Sequence, residues 1–158
     1  MRPTKPSRLH AGFTLAEILI VVSILGILTT ISLPRLRTLR DKSEMSSALS
    51  RFTRGVMAAR QAAIQRGKRS FFRHKNNSIW VIVDTTATDS VIVVSPTSLL
   101  SLYGVEVTAP SGLTSIGYDP RGMSTQSTKQ IFRVKHRSNL VDSLCVSKLG
   151  NTIRTACP

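Results

Sequence analysis

Carboxylates are scarce in this chain. Eight Asp and Glu stand against 22 Lys and Arg among 158 residues, a formal charge of +14. Such a balance suits polyanionic surroundings (nucleic acid, anionic lipid headgroups, acidic proteins) or serves solubility alone. Histidine is rarer still. His10 lies near a basic N-terminal stretch, and His74 and His136 stand singly at the edges of strand-like runs. No metal-ligand spacing, phosphate loop or nucleophile elbow accompanies them, so neither catalysis nor a cofactor is expected. Cysteine occurs only at Cys145 and Cys157. Charge is missing altogether from the 16 residues Ile18 to Leu33.

That uncharged run is the most informative stretch. From Phe13 to Leu33 there are 21 residues, enough at about 1.5 Å each to cross a bilayer core of roughly 30 Å. Arg2, Lys5 and Arg8 precede it like the n-region of a secretory signal. The apolar part is too long for a signal core, however, and Leu33-Pro34-Arg35-Leu36-Arg37 follows it in place of a small-x-small cleavage site. The segment reads as a retained anchor. Arg35, Arg37, Arg40 and Lys42 make its far flank as basic as the near one, so charge alone does not orient it.

Glu17 is the anomaly at the edge of the anchor. A carboxylate inside a membrane segment costs on the order of 2.5–3.5 kcal/mol and calls for a partner. Cleavage after Gly12 would give Phe13 a free α-amine four residues away, on the same helix face. Amine and carboxylate would then neutralise each other within one subunit or between neighbours. The alternative is a glutamate that snorkels or protonates at the interface.

Gly12-Phe13-Thr14-Leu15-Ala16-Glu17 followed by an apolar helix resembles the class III leader of type IV pilins and type II secretion pseudopilins. The resemblance implies cleavage between Gly12 and Phe13 by a prepilin peptidase, N-methylation of Phe13 and a cytoplasmic leader of residues 1–12. It also implies a transmembrane helix segment over 13–34 and a periplasmic or extracellular domain over 35–158. Pro34 stands where many pilins carry a helix-bending proline, after Gly26, Thr29, Thr30 and Ser32, all poor helix formers.

The amphipathic continuation of the helix is expected from Arg35 to about Gln65. Leu49, Phe52, Val56, Ala59 and Ala63, with Ala48, form a stripe at spacings of three and four, and Gly67 follows as a C-cap. Beyond it lie short β-branched runs: 70–74, 79–84, 91–94, 105–109, 115–118, 131–136, 143–147 and 152–155. Asn76-Asn77 and Asp119-Pro120-Arg121-Gly122 read as turns, and 96–103 as a loop or short helix.

Ala59-Arg60-Gln61-Ala62-Ala63 leading to Arg66-Gly67 and then Trp80 resembles the GspH/FimT branch of this family. So do Ile116-Gly117-Tyr118-Asp119-Pro120-Arg121-Gly122 and the closing Leu144-Cys145-Val146-Ser147 with Gly150. The fold implied is α+β and pilin-like: a long N-terminal helix packed on antiparallel β-sheets.

Two further expectations concern the C-terminus. A three-residue loop from Gly150 to Thr152 would pair Leu149 with Ile153 and set Cys145 opposite Cys157. An even cysteine count in an oxidising compartment suits that bridge, and two separate thiols are the alternative. The same register sets Lys148 beside Arg154 as a candidate clamp for DNA phosphates. DNA-binding relatives carry Gly-Arg-x-Arg near the C-terminus, whereas this chain has Gly150-Asn151-Thr152-Ile153-Arg154. A solvated basic hairpin is the alternative.

The expected protein is thus a structural subunit in the bacterial inner membrane. It would span once, with its C-terminal domain in the periplasm, and enter a pseudopilus or pilus. Its partners would be other pilins, the prepilin peptidase, an inner-membrane assembly platform and membrane lipid, with DNA as a further candidate. Two roles are expected: a minor pseudopilin aiding type II secretion, or a FimT-like minor type IV pilin that primes the pilus or binds DNA for uptake.

Overall fold

The computed structural model describes residues 13–86, 89–110 and 114–154. The chain divides into two compact units, residues 1–39 and 40–158. Helix α1 (Leu15–Arg66) runs for 52 residues and contains Pro34. In the first unit it is long and apolar enough to cross a membrane. Ile18, Leu19, Ile20, Val22, Leu25, Ile27 and Leu28 are each more than half exposed in the isolated chain.

Hydroxyl groups in this stretch bond to their own helix. Ser23 donates to the Leu19 carbonyl at 2.8 Å, Thr30 to Ile27 at 2.7 Å and Ser32 to Leu28 at 2.9 Å. Thr29 donates to Leu25 and Gly26, at 3.0 and 2.9 Å. Residues that look helix-poor in a propensity scale therefore carry no unsatisfied polar side chain into an apolar medium.

In the second unit α1 presents its apolar stripe to two sheets. Met45, Ala48, Leu49, Phe52, Val56, Ala59 and Ala63 are buried, as their three- and four-residue spacing requires. The helix ends in a Schellman motif. Gly67 has φ +60°, its N–H donates to Ile64, and Lys68 N–H donates to Ala63.

The strands are β1 (Ser70–Lys75), β2 (Ser78–Asp84), β3 (Ser90–Ser98), β4 (Val105–Thr108), β5 (Ser115–Tyr118), β6 (Gln130–His136), β7 (Val141–Val146) and β8 (Thr152–Arg154). A short helix α2 (Leu99–Tyr103) precedes β4. They form two antiparallel four-stranded sheets, in the orders β3-β2-β1-β5 and β4-β6-β7-β8. Phe52 joins the layers: its ring centroid lies 4.7 Å from Phe72 of the first sheet and 4.9 Å from Phe132 of the second. The region 96–103 resolves into the end of β3 and then α2, which Ser98 caps by accepting the Ser101 N–H. Pro96 is tolerated within β3 because that strand is an edge.

The last hairpin differs from the sequence expectation. Leu144 faces Arg154, Cys145 faces Ile153 and Val146 faces Thr152. Ser147 N–H donates to the Asn151 carbonyl and Gly150 N–H to the Ser147 carbonyl, both at 2.9 Å. The loop is therefore Lys148 to Gly150. The cause is Gly150, whose φ of +80° is the left-handed position closing a three-residue hairpin loop. Glycine is the last loop residue, not the first. The strand position opposite Cys145 is taken by Ile153, and Arg154 faces Leu144, not Lys148. Cys157 itself lies outside the described residues.

Candidate functional site

The N-terminal site is built on the first turn of α1. Thr14 is its N-cap: Ile18 N–H bonds the Thr14 carbonyl at 3.3 Å, and Glu17 N–H bonds Thr14 Oγ1 at 3.2 Å. Thr14-x-x-Glu17 is thus the spacing of a capping box, a local role that the sequence reading did not identify. The carboxylate sits where the helix dipole is positive. Phe13, Glu17, Ile18, Val21 and Val22 line one shallow apolar hollow, so position 13 and the carboxylate do share a face. Gly12 lies outside the described residues. Downstream, Pro34 leaves the Thr30 carbonyl without an i→i−4 donor, while the helical assignment continues through it.

The C-terminal basic pair is not brought together by the hairpin register. Lys148 is exposed in the hairpin loop. Arg154 turns toward α1 and its Nη2 donates to Ser46 Oγ at 3.3 Å. The loop is instead held against the domain. Arg60 Nη1 donates to Asn151 Oδ1 at 2.8 Å, and the buried Tyr118 hydroxyl donates to the Gly150 carbonyl at 3.2 Å. Burial pushes the Tyr118 hydroxyl pKa well above its ordinary value, so it stays a donor.

A cluster that sequence reasoning missed lies at the start of the second unit. His136 is fully buried, and its Nδ1 accepts from the Ser138 N–H at 3.2 Å. Its Nε2 donates to Glu44 Oε2 at 3.1 Å. Arg137 also donates to Oε2, at 3.3 Å, and Arg40 Nε donates to Oε1 at 3.0 Å. These donors, His136 first and Arg40 next, hold the Glu44 carboxyl below its ordinary pKa. Asp41 completes a trio with metal-like spacing. Its chemistry does not fit a cation, because the imidazole presents N–H and both Glu44 oxygens are engaged. It is a latch between α1 and the end of β6. Only the helical pair Arg40–Glu44 was close in sequence; His136 lies 92 residues away.

Residues 7–33 match the prokaryotic N-terminal methylation motif. No curated protein sequence matches the chain. The fold is similar to that of the type IV minor pilin FimU of Pseudomonas aeruginosa, with TM-score 0.58 and 14% identity, over 75% of this chain and 92% of that one. It is also similar to the minor pseudopilin EpsH from the type 2 secretion system of Vibrio cholerae. That match has TM-score 0.53 and 14% identity, over 70% of this chain and 94% of that one. The motif is thus confined to residues 7–33, and the fold shared with these two proteins is a long helix packed on antiparallel sheets.

Proposed function

We propose that this chain is a GspH/FimT-type minor pseudopilin, a structural subunit of a type II secretion pseudopilus that aids protein export. The observation that carries the reading is the methylation motif set on the capped first turn of α1. There Glu17 and Phe13 share a face at the edge of an exposed, membrane-length apolar helix.

In this reading the prepilin peptidase cuts between Gly12 and Phe13 and methylates the new amine. Amine and Glu17 then set the register between neighbouring subunits, and Pro34 provides the point where the helix bends. The anchor lies in the bacterial inner membrane and the second unit in the periplasm. A low copy number suits the charge. Removing the three leader cations and Glu17 from the totals leaves 19 Lys and Arg against 7 Asp and Glu in residues 35–158, a balance of +12. Many identical copies side by side would repel one another.

The likeness to FimU supports a second reading, a minor type IV pilin that primes the pilus or takes part in DNA uptake. Any DNA contact would then use the general basic surface, because Lys148 and Arg154 do not meet.

The test is mass spectrometry of protein from cells with and without the peptidase, followed by Glu17→Ala. Loss of residues 1–12 only when the peptidase is present is expected. The variant should be cleaved yet fail to enter filaments. Retention of the leader, or normal incorporation of Glu17→Ala, would overturn the proposal. Secretion and transformation assays on a deletion strain separate its two versions.

A further inference from the structure

A notch opens on the second unit beside the core stripe of α1. Arg51, Arg54 and Ala58 follow one another at three- and four-residue steps along one side of the helix. Facing them are Phe72 of β1, Val81 of β2 and Val94 of β3, with Trp80 at the border. The cavity measures about 150 Å³, a size at which an apolar cavity accepts a benzene ring. Gly55 sits between the arginines and Ala58 and contributes no side chain. A Cβ there would meet Phe72 Cε2 at 2.7 Å and Ile79 Cδ1 at 3.7 Å. A glycine in a helix interior costs about 0.5–1 kcal/mol relative to alanine, and here it lets α1 approach the β1 aromatic ring.

The mouth carries charge of one sign. Arg51 Nη2 donates to Thr97 Oγ1 at 3.2 Å, which fixes one guanidinium beside β3. Arg54 is exposed. Among the described residues no carboxylate reaches either arginine, since all three ion pairs converge on Glu44. Apolar walls under two guanidinium groups would bind an apolar ring flanked by carboxylates. The walls remove the ring from water, and the arginines offer planar donors to the acids.

We propose that this notch is a docking site for an acidic peptide segment of a partner chain that inserts one aromatic side chain between α1 and β3. A second copy of this chain is disfavoured by its own charge, with few carboxylates to present. The proposal does not depend on the filament reading, because its residues all belong to the second unit and none lies near the methylation motif.

The test uses the full chain in detergent micelles with the peptide acetyl-Asp-Phe-Asp-amide, read by the fluorescence of Trp80, the single tryptophan. Saturable binding is expected with Kd at or below about 1 mM, in the range of a small ligand with few contacts. Acetyl-Asn-Phe-Asn-amide and acetyl-Asp-Ala-Asp-amide should each bind at least tenfold more weakly. Ala58→Phe, which fills the cavity, should abolish binding. Arg54→Glu, at an exposed position and so tolerated by the fold, should reject the acidic peptide and accept acetyl-Lys-Phe-Lys-amide instead. An unresponsive Trp80, equal affinity for the neutral peptide or an unaltered Arg54→Glu would each overturn the proposal. Displacement of the acidic peptide by oligothymidylate at equal charge would also overturn it, in favour of a nucleic-acid groove.

Discussion

Replacing Gly150 with alanine tests the hairpin register and the seat beneath it together. The residue has φ +80°, and a left-handed conformation costs a non-glycine residue roughly 1–2 kcal/mol. The new Cβ would also stand 2.4 Å from Tyr118 Cε1 and 3.3 Å from both Cζ and Oη. Tyr118 is fully buried, so its ring cannot swing aside freely, and forced repacking costs about 1–3 kcal/mol. A shifted ring also loses the acceptor of its hydroxyl, the Gly150 carbonyl. The whole change should destabilise by roughly 3–5 kcal/mol. Gly67→Ala is the matched control. Its φ is +60°, but nothing lies within 4 Å of the added carbon, so only the conformational cost of about 1–2 kcal/mol remains. Urea unfolding of the full chain in detergent, followed by Trp80 fluorescence, compares the two. At a typical slope of about 1–3 kcal/mol per molar urea, the midpoints should differ by roughly 1–2 M. Midpoints that coincide would refute the seating of Tyr118 on the turn.

Other expectations can be read in similar measurements. Phe52→Ala removes the ring shared by both sheets and should cost about 3–5 kcal/mol; a loss below about 1 kcal/mol would mean the sheets do not depend on it. Acid should destabilise in two stages. Burial lowers the His74 pKa below its ordinary 6.5, so the unfolded chain takes up the proton first and stability falls as pH drops below that value. Glu44 is held below its ordinary 4.5 by His136 and Arg40, so its contribution is present above 4.5 and fades at lower pH. Urea midpoints near about pH 7.5, 5.5 and 4 should decline in that order, with Glu44→Gln flattening the last step; equal midpoints would contradict both. Non-reducing peptide mapping of exported protein should link Cys145 to Cys157. Free thiols would remove the bridge.

What was legible in the sequence was the periodic part. The stripe Leu49, Phe52, Val56, Ala59, Ala63 repeats on one helix face and is buried as expected. Asn76 and Asn77 have φ of +49° and +59° in the two-residue turn between β1 and β2. The terminal register is the exception, because the spacing that would pair Cys145 with Cys157 makes Gly150 the first loop residue, whereas the structure makes it the last. A three-residue hairpin places its left-handed residue last, and that rule was available from the residue type alone. His136 and Glu44 could not have been joined beforehand. They are 92 residues apart, and no local period connects a helix position to a strand end. The notch was equally hidden, since α1 and three strands contribute to it and Gly55 matters only through the ring it permits nearby.

The hydroxyl groups of Ser23, Thr29, Thr30 and Ser32 are all occupied by carbonyls of their own helix. The donor hydrogens of these alcohols are therefore withdrawn from any neighbour, and each oxygen keeps only its acceptor side. Lipid tails and another apolar helix become interchangeable company, because exchanging one for the other neither makes nor breaks a hydrogen bond. The resistance to leaving one surrounding for the other then concentrates at Glu17, the single charge on the segment. One residue acts as the gatekeeper of a passage that the rest of the helix treats with indifference.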